Sequence, residues 1–581
     1  VSLLLKGVSA SRGIVIGQAL LLTGSAADEG QRRQIEAREV ENEIERLLKA
    51  VAVTREQLLD LKRKVAVEIG QKQAEIFNAH LLFLDDPTFV VETQEQVRKQ
   101  RTSAEWAVHE YVERYGRMLD AVGDGVMRER KGDIHDVGLR LIQNLRGGSL
   151  APLVETSDKK ILVAGDLTPS ETAQLDLDKV LGFATDQGGP TSHTAIIART
   201  LDIPAVVGLE QATLHVKNGD TLVLDGGGGV LVVDPDKETL AHYRQKQKEL
   251  QAKERELKAI LRLPTVTKDG RKLKLFGNIE LPEEAKATAA KGAEGVGLFR
   301  TEFLFLNRHN LPTEEEQFEA YRLALRHSHP HPVTIRTLDL GGDKFVAHLG
   351  MSTEMNPFLG LRAIRLCLAH PYVFKVQLRA ILRASHYGTV RIMYPLVSGL
   401  EELRQANQIL EETKRDLARR NIPFDEKVEV GAMIEVPSAA ITADLLAKEA
   451  NFFSIGTNDL IQYTMAVDRG NERIAYLYDP LHPAILRTIY SVVKAAAKAK
   501  VRVSLCGEMG GDPLFAVVLV GLGMRELSMS AASIPAVKKI LRSISYREAR
   551  VVAEQALELS TGAEIRTLLS QSAPGRRVTE G

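Results

Sequence analysis

The first place in this chain where residue types and spacing could do chemistry is a histidine set in a loop of glycines and hydroxyls. Gly188-Gly189-Pro190-Thr191-Ser192-His193-Thr194 runs into the apolar, helically spaced stretch Ala195-Ile196-Ile197-Ala198. Backbone amides at a loop-to-helix junction face an incoming anion, and glycines let a phosphate approach closely. The neutral imidazole of His193 is nucleophilic near neutral pH, so phosphoryl acceptance is the chemistry this arrangement suits. A lone histidine there also reads as a residue that merely opens a helix. Only a second, independent set of residues can separate the two.

That set lies in the C-terminal half, where short apolar runs end repeatedly in a charged or reactive residue. Arg300, Arg336, Glu435, the pair Asn458-Asp459, and Cys506 with Glu508 all stand at such ends, and Lys344 and Arg469 fall just beyond. Two carboxylates, Glu435 and Asp459, can hold one hard divalent cation such as Mg2+ while leaving positions open for substrate oxygens. Three arginines and a lysine neutralise a phosphate together with a carboxylate, and Asn458 can donate a hydrogen bond to the same ligand. A small phosphorylated carboxylic acid is the natural occupant. Cys506 reads either as a proton donor or acceptor beside those charges or as a passive buried thiol.

These residues need a scaffold that gathers strand ends. Strand candidates at 273–279, 295–300, 333–339, 390–397, 428–436, 452–459, 501–508 and 527–530 alternate with helical stretches. This predicts a (β/α)8 barrel over 264–581, with an open doubly wound sheet as the alternative, and barrel active sites gather at the carboxyl ends of strands. His193 belongs to a different body. Residues 1–30 and 147–234 read as one α/β domain of short strands, those near the N-terminus broken by Gly13 and Gly17. Between its two parts, 31–146 changes to a helical period and reads as an inserted helical bundle with no catalytic constellation of its own. A charged segment at 235–263, with one narrow stripe of Leu240, Tyr243, Leu250, Leu257 and Leu261, reads as a linker helix.

Composition excludes several classes. Lys plus Arg and Asp plus Glu are equal at 76 each in 581 residues, so no basic field points to nucleic acid. No apolar run reaches the length of a membrane span, and the N-terminus lacks a signal-peptide layout. The two cysteines, Cys367 and Cys506, stand far apart, which argues against disulfide scaffolding and for a cytoplasmic location.

The motifs together resemble the Enzyme I family of the bacterial phosphoenolpyruvate-dependent sugar phosphotransferase system, over essentially the whole chain. They are Gly188-Gly189 with Thr191–Thr194, Asp166–Thr172, Gly297–Leu304, Arg336–Lys344, Asn356–Gly360, Phe453–Leu460, Val467–Asn471 and Cys506-Gly507-Glu508. The resemblance implies a swivelling phosphohistidine domain, with His193 phosphorylated by phosphoenolpyruvate. It implies substrate binding by Arg300, Arg336, Asn458 and Arg469, with Lys344 and Asp459 nearby, and Mg2+ on Glu435 and Asp459. Cys506 would protonate the enolpyruvate carbon to release pyruvate, and Thr172 would orient the imidazole. The helical insertion would dock the phosphocarrier protein HPr, the barrel would form the homodimer, and 235–263 would contain the hinge. One position departs from the family: Pro190 stands where members usually carry a side chain such as arginine. Relatives that remain as alternatives are the nitrogen-type Enzyme I without its sensory domain and the pyruvate/phosphoenolpyruvate dikinases.

Overall fold

In the computed structural model the described residues are 2–22, 32–68, 74–122, 125–147, 158–173, 175–176, 179–189, 192–306, 310–341, 356–471 and 473–580. They form two compact units that divide between Lys253 and Glu254. No described helix is long and apolar enough to cross a membrane.

The first unit is built on an eight-stranded sheet. Its strands are β1 (Leu3–Lys6), β2 (Val8–Ser11), β3 (Ile14–Leu22), β4 (Lys160–Ala164), β5 (Val180–Thr185), β6 (Ala205–Val207), β7 (Thr221–Asp225) and β8 (Val230–Val233). They lie in the order β1-β8-β7-β3-β4-β5-β6-β2. The break expected at Gly17 is absent, because β3 runs through it as one nine-residue strand. A Cβ at Gly17 would lie 2.5 Å from Leu181 Cδ1, so the glycine admits a neighbouring side chain without interrupting the ladder.

Between β3 and β4 the chain forms α1 (Val40–Glu68), α2 (Ile76–Leu84), α3 (Pro87–Gln100), α4 (Ala104–Val122) and α5 (Gly125–Leu145). Their apolar faces close over Leu58, Phe77, Leu84, Phe89, Val108 and Leu141, a core separate from that of the sheet. Burying a helix stripe in this way supplies most of the stability that helical propensity alone cannot. The sheet carries two short helices that matter below, α6 (Pro169–Thr172) and α7 (His193–Thr200). The charged segment after β8 forms α8 (Lys237–Ile260), and Leu240, Tyr243 and Leu250 pack on Ile14, Val223 and Val232. Lys246 reinforces that seat, 2.6 Å from Asp225.

The second unit is a closed barrel of parallel strands. These are β9 (Lys274–Ile279), β10 (Val296–Arg300), β11 (Val333–Arg336), β12 (Val390–Tyr394), β13 (Glu429–Ile434), β14 (Phe452–Ile455), β15 (Arg502–Leu505) and β16 (Glu526–Met529). Closure of β16 on β9 excludes the open doubly wound alternative. Several strands end earlier than their apolar runs. The run 452–459 stops as strand at Ile455, and Asn458 and Asp459 sit in the first turn of α9 (Thr457–Met465). The run 333–339 likewise stops at Arg336, so Asp339 lies in the connection beyond it.

Candidate active site

The described residues on either side of Pro190 and Thr191 give α7 a defined start. Gly188 has φ +105°, which few other residues would adopt without strain. Ser192 is the N-cap, its hydroxyl accepting from the Ala195 amide at 3.3 Å. Thr194 is buried and donates its hydroxyl to the carbonyl of Leu167 at 3.3 Å, which ties the first turn of α7 to the segment leading into α6. Thr172 donates its own hydroxyl to Thr168 O at 2.8 Å, leaving only its lone pairs to meet an imidazole N–H. Pro190 and Thr191 lie outside the described residues, and His193 is placed by its backbone as the first residue of α7.

In the second unit a cavity of about 510 Å³ opens at the carboxyl ends of the strands. Its wall brings together Arg300, Arg336, Glu435, Asn458, Asp459, Arg469, Cys506 and Glu508, all of which the sequence marked. Lys344 lies outside the described residues. The same wall adds Glu302, Asp339 and Arg362, which sequence reasoning did not select. A signal was present for each, since Glu302 and Asp339 fall inside conspicuous charged motifs and Arg362 follows Asn356–Gly360 by two residues. Nothing local says that these three meet.

They meet as a buried ion network. Arg336 lies 2.9 Å from Glu302 and 2.9 Å from Asp339, and Arg362 lies 2.8 Å from the other oxygen of Asp339. Burial opposes the charge on Arg336, but Glu302, Asp339 and Glu435 outweigh it and hold the guanidinium firmly protonated. Burial likewise disfavours the Asp339 carboxylate, and Arg336 and Arg362 reverse that and keep its proton off. The Nε atoms of both arginines are buried without hydrogen-bond partners. The two positive charges are therefore fixed in place beside the cavity, as a ligand with several anionic oxygens requires.

The carboxylates face them. Glu435, almost fully buried immediately after β13, accepts the Leu396 amide at 2.6 Å. Leu396 takes φ 54° there, a left-handed conformation that a bulky residue holds only under local constraint. Burial, with the negative charges of Asp459 and Asp339, pushes the Glu435 carboxyl well above the usual carboxylate range. Asp459 is 3.7 Å from Arg362 and 4.0 Å from Arg469. Two crowded acidic groups of this kind fit a hard divalent cation, which relieves their repulsion and takes its remaining ligands from water and substrate. Among the described residues there is no cluster of three or more His, Cys, Asp or Glu that could hold a metal. A cation at Glu435 and Asp459 would thus leave most of its shell to water and substrate oxygens.

Cys506 follows β15, and its thiol donates to Ile455 O at 3.7 Å. Burial pushes the thiol up to about 11. It therefore carries its proton at neutral pH, as a proton donor must. Asn458 and Glu508 hold each other by two bonds, Nδ2 to Oε1 at 3.3 Å and the Glu508 amide to Oδ1 at 3.1 Å.

The chain matches three described families: "PEP-utilising enzyme, N-terminal" over 6–130, "PEP-utilising enzyme, mobile domain" over 156–229 and "PEP-utilising enzyme, PEP-binding domain" over 254–546. The phosphoenolpyruvate-protein phosphotransferase of Geobacillus stearothermophilus is 46% identical over 561 residues, covering 97% of this chain and 96% of that protein. The chain belongs to the phosphoenolpyruvate-protein phosphotransferase family. The Bacillus subtilis (strain 168) protein of that name is 44% identical, covering 97% of this chain and 98% of its own length. That of Haemophilus influenzae is 40% identical, with coverage of 98% and 99%. Similarity at this level over nearly the full length places the chain in a family of enzymes.

Proposed function

We propose that the chain transfers the phosphoryl group of phosphoenolpyruvate to His193 and then to HPr, releasing pyruvate, as the first step of a sugar phosphotransferase system. The observation that carries this reading is the cavity itself, where Arg300, Arg336, Arg362 and Arg469 surround Glu435, Asp459 and Cys506. A phosphorylated carboxylic acid is the ligand whose charges suit such a wall. Membership of a family named for phosphoenolpyruvate and protein phosphotransfer supports the same conclusion.

In this reading the arginines bind the phosphate and carboxylate oxygens and spread the charge of the transferring group. Asn458, held by Glu508, orients the ligand. Mg2+ bound by Glu435 and Asp459 supplies charge neutralisation to the phosphate. His193 presents a neutral nitrogen in line with phosphorus, forming the N–P bond as the bridging P–O bond breaks. The enolate left behind takes the Cys506 proton at its methylene carbon and becomes pyruvate, and solvent returns a proton to sulfur. The phosphoryl group then passes to HPr docked on the helical insertion. The family resemblance assigns homodimer formation to the barrel, and this reading carries it over. The cytoplasm is the compartment where such a carrier cascade operates.

Incubation with phosphate-labelled phosphoenolpyruvate and Mg2+ tests the reading. Acid-labile, base-stable label should appear on the chain, be absent from His193→Ala, and move to added HPr. Label retained by His193→Ala, or a wild-type chain that takes none, overturns it.

A further inference from the structure

A buried polar seam joins the helical insertion to the α/β domain close to the acceptor helix, and the mechanism above makes no use of it. His80 on α2 is enclosed, with Nε2 3.4 Å from Asp133 Oδ1 and Nδ1 3.9 Å from Asp136 Oδ2, both carboxylates belonging to α5. Neither ring nitrogen has a hydrogen-bond partner. Arg140, buried one turn further along α5, is held less basic by that burial, which the charges of Asp136 and Glu171 only partly offset. A scaffold that had only to hold two apolar faces together would not bury these groups, since each costs desolvation.

The distinctive contact is made by Asp136, whose Oδ2 accepts the backbone amide of Ser170 at 3.1 Å. The amides of α6 show why this bond matters. Pro169 has none, Glu171 donates to Thr168 Oγ1 at 3.1 Å, and Thr172 donates to Thr168 O at 3.0 Å. Ser170 is left with an amide that its own helix cannot satisfy, and the insertion supplies the acceptor. The segment held in this way is the one whose Leu167 carbonyl receives the Thr194 hydroxyl. A continuous path therefore runs from Asp136 through Ser170 and Leu167 to Thr194, the neighbour of His193.

We infer that Asp136 is a positioning residue for phosphoryl transfer at His193. From the helical insertion it fixes the Leu167–Thr172 segment on which the first turn of α7 is seated. The insertion thus helps to place the nucleophile in addition to any docking role. This inference rests on the reading of His193 as the acceptor.

The test compares the full-length wild type with Asp136→Ala and Asp136→Asn by single-turnover labelling from phosphoenolpyruvate. Asparagine keeps an oxygen that can accept the Ser170 amide, and alanine does not. Misplacement of a nucleophile by a fraction of an ångström predicts labelling about tenfold slower in Asp136→Ala, with the KM for phosphoenolpyruvate within about twofold of wild type. Asp136→Asn should label within about threefold of wild type, because the positioning bond survives. Labelling of Asp136→Ala at the wild-type rate, or Asp136→Asn as slow as Asp136→Ala, overturns the inference. Should Asp136→Ala not fold, amide exchange in the wild type decides: slow exchange at Ser170 is expected, and exchange as fast as an open loop overturns it. A wild type that takes no label on His193 sinks the functional reading instead, which keeps the two failures distinct.

Discussion

Asp339 reaches Arg336 at 2.9 Å with one carboxylate oxygen and leaves the other for Arg362 at 2.8 Å. One buried acid thus sets the spacing of two guanidinium groups in the cavity wall.

Asp339→Asn should accordingly do two things at once. Removing one member of a buried ionic network typically costs about 3 kcal/mol, which chemical unfolding of the second unit's transition would record. With the shared negative charge gone and one carboxylate oxygen replaced by an amide that cannot accept, the KM for phosphoenolpyruvate should rise about tenfold, the equivalent of one or two weakened charge-assisted bonds. A variant with wild-type stability and wild-type KM would show that the network does not organise the site.

Cys506 offers a pH prediction. Burial raises its thiol to about 11, whereas an exposed cysteine ionises near about 8.5. The folded state therefore prefers the protonated form. The stability this contributes is complete below the unfolded value and is lost as pH climbs from there through the folded one. Alkylation by iodoacetamide at pH 7.5 should be slow and should accelerate only well above pH 9. Cys506→Ala should lose about 10²–10⁴-fold in pyruvate release, the usual contribution of a positioned acid. Rapid alkylation at neutral pH would contradict the protonated state derived from burial.

Glu435→Gln tests the proposed cation site by titration with Mg2+. Removing one of two acidic ligands should raise the Mg2+ concentration needed for half-maximal labelling by about tenfold or more. Because a buried, crowded carboxyl becomes a neutral amide, the variant should unfold no earlier than the wild type in the absence of Mg2+. An unchanged Mg2+ midpoint would remove Glu435 from the cation site.

The barrel was legible because its strands are apolar runs at regular intervals, and the site was legible because those runs end in charge. The limits of legibility are equally physical. Asp459 looked like a strand terminus, but β14 ends at Ile455 and α9 begins two residues on, a handover that hydropathy does not mark. Arg362 comes from a connection whose placement depends on contacts with Asp339 and Tyr463, both distant in sequence. Gly17 read as a breaker because glycine usually weakens a strand, and only the approach of Leu181 explains its presence inside β3. The seam at Asp136 was invisible for the same reason, since its meaning lies in one amide of a four-residue helix from another part of the chain.

The topology of the first sheet bears on how such a chain could be shortened. β3 and β4 are adjacent and parallel, with Ala19 opposite Ile161 and Leu22 opposite Ala164. A hairpin cannot link strands that run the same way, so whatever joins them must travel back along the length of the sheet. The helical bundle therefore sits within an obligatory crossover connection rather than on a hairpin loop. Trimming it to a tight turn would leave two neighbouring strands with no route between them. A minimal version of this domain would still need a crossover of roughly a dozen residues, together with a new acceptor for the Ser170 amide.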